Sequence, residues 1–212
     1  MMGTNGSLSV EGPMGSKLQP SGVLNAASLD SGPVAPGEIV TLIGSGIGPA
    51  GELQPATSAT SMALGGTRVL FDGSPAPLLY AGPNQINAIV PFGISGQDVT
   101  QILVTNGGQV IAGFPIPVSA AAPAIFTRDA SGVGPGATLN QDSSVNSPLN
   151  PADRGSVVVI YATGAGATDP LGVDGQVTAG VPPRPVLPVS VQIGGIDSEI
   201  LYAGAAPGLI AG

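Results

Sequence analysis

Asp197 and Glu199 are the closest this chain comes to an acid–base pair. On an extended strand residues i and i+2 share a face, so the two carboxyls could stand together as in a glycosidase. An exposed strand face carries the same spacing with no chemistry attached. Asp30-Ser31-Gly32 fits the aspartic-protease triplet, whose mechanism needs two such carboxylates sharing one proton. The second half of the chain offers no partner triplet, and this one lies in a Pro/Gly turn. Nucleophile–base catalysis fails on inventory. The chain has no His, no Cys, a single lysine at Lys17 and no Gly-x-Ser-x-Gly, so serine lacks its usual base and no thiolate exists.

The same inventory argues against zinc or iron sites, but calcium needs only clustered oxygens. Asn140, Asp142 and Asn146 with Asp153, or Asp169 with Asp174, are the candidate calcium ligands. None fits the EF-hand pattern, and Asx-rich turns occur in their own right. Gly46-Ile47-Gly48-Pro49-Ala50-Gly51 matches GxGxxG after an apolar strand. A dinucleotide site would need a helix next, to hold the pyrophosphate at its N-terminus. The chain instead continues as GELQPATSATS (51–61), with a proline and no helical stripe, so these glycines read as strand-end turns. No cofactor is expected beyond the calcium candidate.

Such residues would have to be positioned by short strands. Among 212 residues there are 34 Gly and 22 Pro, yet 42% are apolar, so the glycines and prolines punctuate apolar runs rather than marking disorder. Only 8% are charged and the net charge is −8, with cations at Lys17, Arg68, Arg128, Arg154 and Arg184. That composition argues against nucleic acid and against an anionic membrane surface. No apolar run reaches the ~18 residues of a membrane span. The N-terminus lacks the basic and apolar regions of a signal peptide, and GPMGS (12–16) resembles a cleavage scar.

The strands come in two sets. GEIVTLIGSGIG (37–48) is echoed by GSVVVIYATGAG (155–166), and VLFDGSPAPLLYAG (69–82) by VQIGGIDSEILYAG (191–204). A period near ~120 residues means tandem domains rather than a solenoid. In the first copy strands are expected near 22–29, 37–44, 66–72, 77–81, 85–91, 100–105 and 109–118. Hairpin turns are expected at Asp72-Gly73 and at Asn106-Gly107-Gly108. In the second they are expected near 137–140, 156–162, 187–194 and 198–203. IVTLI, apolar on both faces, reads as a central strand. SVQIG (190–194) alternates and should bury Val191 and Ile193 as Val69 and Phe71 are buried in the first copy. Tyr80 and Tyr202 should be equivalent. Pro115, Pro117 and Pro123 mark the junction. The second copy stops where counterparts of residues 85–118 would begin, so it is expected to lack its C-terminal strands.

The phrases GVLNAASLDSGPVAPGEIVTLIGSGIGP, LLYAGPNQINAIVP and LNQDSSVNSPLNPADRGSVVVIYATGAG occur here in order. Together they resemble an uncharacterised C-terminal domain family of secreted acidobacterial (Solibacter-type) proteins, over roughly residues 22–212. The resemblance implies tandem immunoglobulin-like (IPT/TIG-type) sandwiches at the end of an exported protein. It implies no activity and no catalytic residues.

The expected fold is therefore all-β, as two tandem immunoglobulin-like β-sandwiches: 1–21 an N-terminal extension or tag-derived segment, 22–122 the first sandwich, and 123–212 the second. The expected function is a non-catalytic extracellular or cell-surface module, structural, adhesive or anchoring. Its expected partners are the other domains of a parent protein, with self-association through unpaired strands of the second copy. The alternative is a carbohydrate-binding or accessory module of a secreted hydrolase. Glycan sites favour aromatic platforms, however, and the chain has four Phe, three Tyr and no Trp.

Overall fold

The computed structural model describes residues 10–11, 18–53 and 61–210. All of GPMGS (12–16), residues 7–9 of SLSV and residues 54–60 lie outside that range. The chain is all-β, with several open antiparallel sheets. Among the described residues β1 Val10–Glu11 lies in the N-terminal extension, and the first copy holds β2 Val23–Asn25, β3 Ile39–Ile43, β4 Thr67–Phe71, β5 Ser74–Pro75, β6 Leu78–Ala81, β7 Gln85–Ile89, β8 Val99–Asn106 and β9 Gln109–Pro117. One sheet has the order β1-β9-β8-β4-β5 and the other β2-β3-β7-β6.

Alternation along these strands builds a sandwich-like core between the two sheets. Val69, Phe71, Ile102, Val104, Phe114 and Ile116 come from one sheet, and Val40, Leu42, Leu78, Ile86 and Ala88 from the other. Burying one such aliphatic or aromatic side chain contributes about 1.5–3 kcal/mol. The register is held at both hairpins. Asp72 and Gly73 take φ of 48° and 82° between β4 and β5, and Gly107 and Gly108 take 56° and 80° between β8 and β9. Asp72 also ties its own turn to the next strand, its carboxylate accepting from Thr100 Oγ1 (2.6 Å) and the Gln101 amide (2.9 Å). IVTLI is central, paired with β2 on one side and β7 on the other.

The structure corrects two expectations in this copy. The first strand is only Val23–Asn25, because Asn25 Oδ1 accepts from the amides of Ala27 and Ser28 and turns the chain at once. The strand expected over 109–118 forms as β9, with Pro115 and Pro117 inside it. Both lie opposite Gln101 and Val99, on a stretch where β1 no longer pairs and no donor is needed on the outer side. The N-terminal extension also carries fold information, since Leu18 is buried in the core and β1 joins the edge of β9.

The second copy is built differently. Its strands are all two residues long: β10 Ala124–Ile125, β11 Thr138–Leu139, β12 Val159–Ile160, β13 Ala162–Thr163, β14 Thr168–Asp169, β15 Arg184–Pro185, β16 Gln192–Ile193 and β17 Ile196–Asp197. They form four separate two-stranded ladders, β10-β13, β11-β12, β14-β15 and β16-β17. The strand expected over 187–194 shrinks to β16, and none forms over 198–203, since β17 has already ended at Asp197. Ile193 is 54% exposed and Val191 half-buried, which contradicts their expected place in a core. The reason is visible in the pairing: β4 has β5 on one edge and β8 on the other, whereas β16 has β17 and, among the described residues, no second neighbour.

Candidate functional site

The two copies meet around one carboxylate. Glu38 directly precedes β3 and is 2% exposed, although among the described residues nothing basic faces it in a hydrogen bond. Its Oε2 accepts from the Ala35 amide (2.7 Å) and its Oε1 from Asn25 Nδ2 (2.8 Å). Asn25 donates a second bond to the carbonyl of Ala122, in the segment entering the second copy (3.0 Å). One residue on, the Ile39 amide donates to Thr163 Oγ1 of β13 (2.8 Å). Burial pushes the Glu38 carboxyl up from 4.5 to about 7, against the opposing pull of the Ala35 and Asn25 bonds.

Phe92 forms the second half of the joint. It sits between Gly37, at φ 73°, and Gly172 of the second copy, and a Cβ at either glycine would run into its ring. The Phe92 amide donates to Asp174 Oδ1 (2.9 Å), so that candidate calcium ligand already serves as a cap across the joint. Beside Glu38 lies a shallow cleft of about 230 Å³, lined among others by Asn25, Asp30, Pro33, Glu38 and Pro123. Asp30 is exposed at its rim, in the turn where Leu29 takes φ 58°. The Asp-Ser-Gly triplet therefore faces a junction cleft with one buried, fully bonded glutamate.

The loop ligands are only partly gathered. Asn140, buried among its neighbours, donates to Ser144 Oγ and to the Asn150 carbonyl, and its Oδ1 accepts from Asn146 Nδ2 (2.7 Å). Asp142 accepts from the Ser144 hydroxyl (2.6 Å) and amide (2.9 Å), and these bonds hold its carboxyl below the usual range. Asp153 contributes its backbone carbonyl to the Ser156 turn, and Asp169 lies in β14 opposite Arg184. Among the described residues no three acidic side chains cluster in a way that could hold a metal ion. Asp197 accepts from Gln192 across the hairpin (2.8 Å), and Glu199 lies exposed beyond the ladder's end. The strand face they were expected to share is therefore not formed.

The GxGxxG stretch is a packing device. Gly46 takes φ 67°, Ile47 is fully buried, and a Cβ on Gly48 would strike the carbonyl of Gly82. The helical turns among the described residues are the three-residue 3-10 turns Pro20–Gly22 and Phe92–Ile94, so none comes directly after these glycines. Sequence reasoning passes over Glu38, Asn25, Thr163 and Phe92. The available signal is an acid placed directly before the most apolar strand of the chain.

No family model, curated protein or solved structure matches the chain at a significant level. No helix among the described residues is long and apolar enough to cross a membrane.

Proposed function

We propose that the chain is a non-catalytic structural, adhesive or anchoring module of a larger exported protein, built from two tandem immunoglobulin-like units. The observation that carries this reading is the joint. The Ile39 amide on Thr163 Oγ1 and the Phe92 amide on Asp174 Oδ1 tie one copy to the other, while Glu38 holds Asn25, which in turn bonds the Ala122 carbonyl at the junction. A joint whose polar atoms are mutually satisfied transmits force and fixes orientation, which is what a spacer or anchor requires. Calcium has no part in this reading, and the parent protein's other domains are its natural partners. The acidobacterial family resemblance points the same way.

Tyr202 bears on the carbohydrate-binding alternative. It is 45% exposed, but the Arg184 guanidinium lies 5.6 Å from its ring centroid, so that face is not an open stacking platform for a sugar. A glycan array and an esterase/glycosidase panel test the proposal. It predicts no turnover; reproducible turnover abolished by Asp197→Asn or Glu199→Gln would overturn it.

A further inference from the structure

The hairpin β16-β17 reproduces β4-β5 position for position. Phe71 pairs with Ser74 and Leu70 with Pro75; 122 residues on, Ile193 pairs with Ile196 and Gln192 with Asp197. The turns match as well: φ of 48° and 82° at Asp72-Gly73, and of 61° and 80° at Gly194-Gly195. So does the closing bond, Ala76 N to Val69 O at 2.8 Å and Ser198 N to Val191 O at 2.9 Å. Downstream, Tyr80 folds its hydroxyl over Gly82, and Tyr202 does the same over Gly204.

What differs is the far edge. In the first copy β8 lies there, pairing Leu103 with Leu70, Val104 with Val69 and Ile102 with Phe71. In the second, among the described residues, nothing pairs with that edge. Apolar side chains of this hairpin and just beyond it are left in water: Ile193 is 54% exposed, Ile196 73% and Leu201 66%. The segment Ser190–Gly194 contains neither charge nor proline, two of the devices that keep a bare edge from pairing.

We propose that this edge of β16 takes an added antiparallel strand from another polypeptide segment, in the register that Val99–Asn106 uses on β4. The occupant carries apolar residues opposite Val191 and Ile193, as Val104 and Ile102 lie opposite Val69 and Phe71, and uncharged or basic residues between. Main-chain bonds supply affinity and the alternate side chains specificity. Charge disfavours a second copy of this chain. Asp197 and Glu199 lie on and just beyond the strand paired to β16, the chain's net charge is −8, and a second copy's own β8 is already committed to a packed core, with Ile102 1% and Val104 0% exposed.

Because the chain has no cysteine, register can be read by cross-linking. Directly opposed residues in an antiparallel pair have Cα atoms about 5.5 Å apart, the separation a disulfide spans. The probe is a synthetic peptide of residues 97–107 (QDVTQILVTNG) carrying Leu103→Cys, offered to the full chain carrying Gln192→Cys. The expected result is a mixed disulfide at about tenfold the yield of peptides with cysteine one pleat away, at Gln101 or Thr105. Chain carrying Leu70→Cys, whose edge β8 already fills, should give none. The amides of Gln192 and Gly194 in the unsubstituted chain, counterparts of Leu70 and Asp72 on the edge that β8 fills, should gain exchange protection when unmodified peptide is added. Equal yield in every register, no adduct with unchanged exchange, or Gln192→Cys homodimers outpacing the peptide adduct would each overturn the proposal.

Discussion

The two copies carry the same hairpin, with the same turn and closing hydrogen bond, yet bury it to opposite degrees. Val69 and Phe71 are fully buried, while at the matching positions Val191 is half-buried and Ile193 mostly exposed. The central strand shows the same contrast. Val40, Thr41 and Leu42 are buried in IVTLI, whereas Val158 and Ile160 are half-buried and Val159 is 45% exposed in VVVIY. Local sequence therefore decides turn and pairing register, but burial is decided by strands distant in the chain. β7 and β8 close the first copy, and the ladders of the second each have a single partner. An isolated two-stranded ladder is marginal in water; a third strand or a second sheet makes it stable.

The largest expected effect sharpens that contrast. Phe71→Ala removes a fully buried ring and should cost about 3–5 kcal/mol in urea denaturation. Ile193→Ala, at the equivalent position, should change stability by no more than about 0.5 kcal/mol. Equal losses would mean that the second copy has a core like the first.

The next effect lies at the joint. A carboxyl at about 7 when folded, against 4.5 when not, is favoured in its protonated form by folding. Its burial costs little below pH 4.5; the cost grows through the interval to pH 7 and stays at about 3 kcal/mol above it. Stability should thus fall by about 2–3 kcal/mol between pH 5 and pH 8. Glu38→Gln should flatten that slope. An amide cannot accept from both the Ala35 amide and Asn25 Nδ2, so the variant should be less stable at pH 5 by about 1 kcal/mol and more stable at pH 8. An unchanged slope in the variant would remove Glu38 from its place at the joint.

These differences separate what is legible in the sequence from what is not. The strands and both hairpin turns of the first copy are legible, because alternation and Asp-Gly or Gly-Gly pairs are local signals. The strands expected over 187–194 and 198–203 fall short because SVQIG has the pattern of a half-buried strand, and a pattern cannot say whether the covering strand is there. Leu18 and β1 escape notice because a polar, glycine-rich context hides a single core leucine. The joint is invisible for another reason: Asn25, Glu38 and Thr163 are 13 to 138 residues apart, and only the fold brings them together.

The smallest expected effect concerns the second copy's loops. Asn140 and Asp142 already direct their oxygens at Asn146 and Ser144, so millimolar Ca²⁺ should leave the melting midpoint unchanged. A rise reversed by chelator would instead make these loops a binding site, and would make the second copy's order depend on an ion.

Native-state hydrogen exchange of the full chain, resolved by residue, tests the account most directly. Amides in β3, β7 and β8 should open only with global unfolding, and those of Val191–Ser198 should exchange orders of magnitude faster, through local opening of a two-residue ladder. Protection in Val191–Ser198 equal to that of β8, in the chain alone, would contradict the claim that one repeat is closed and the other open.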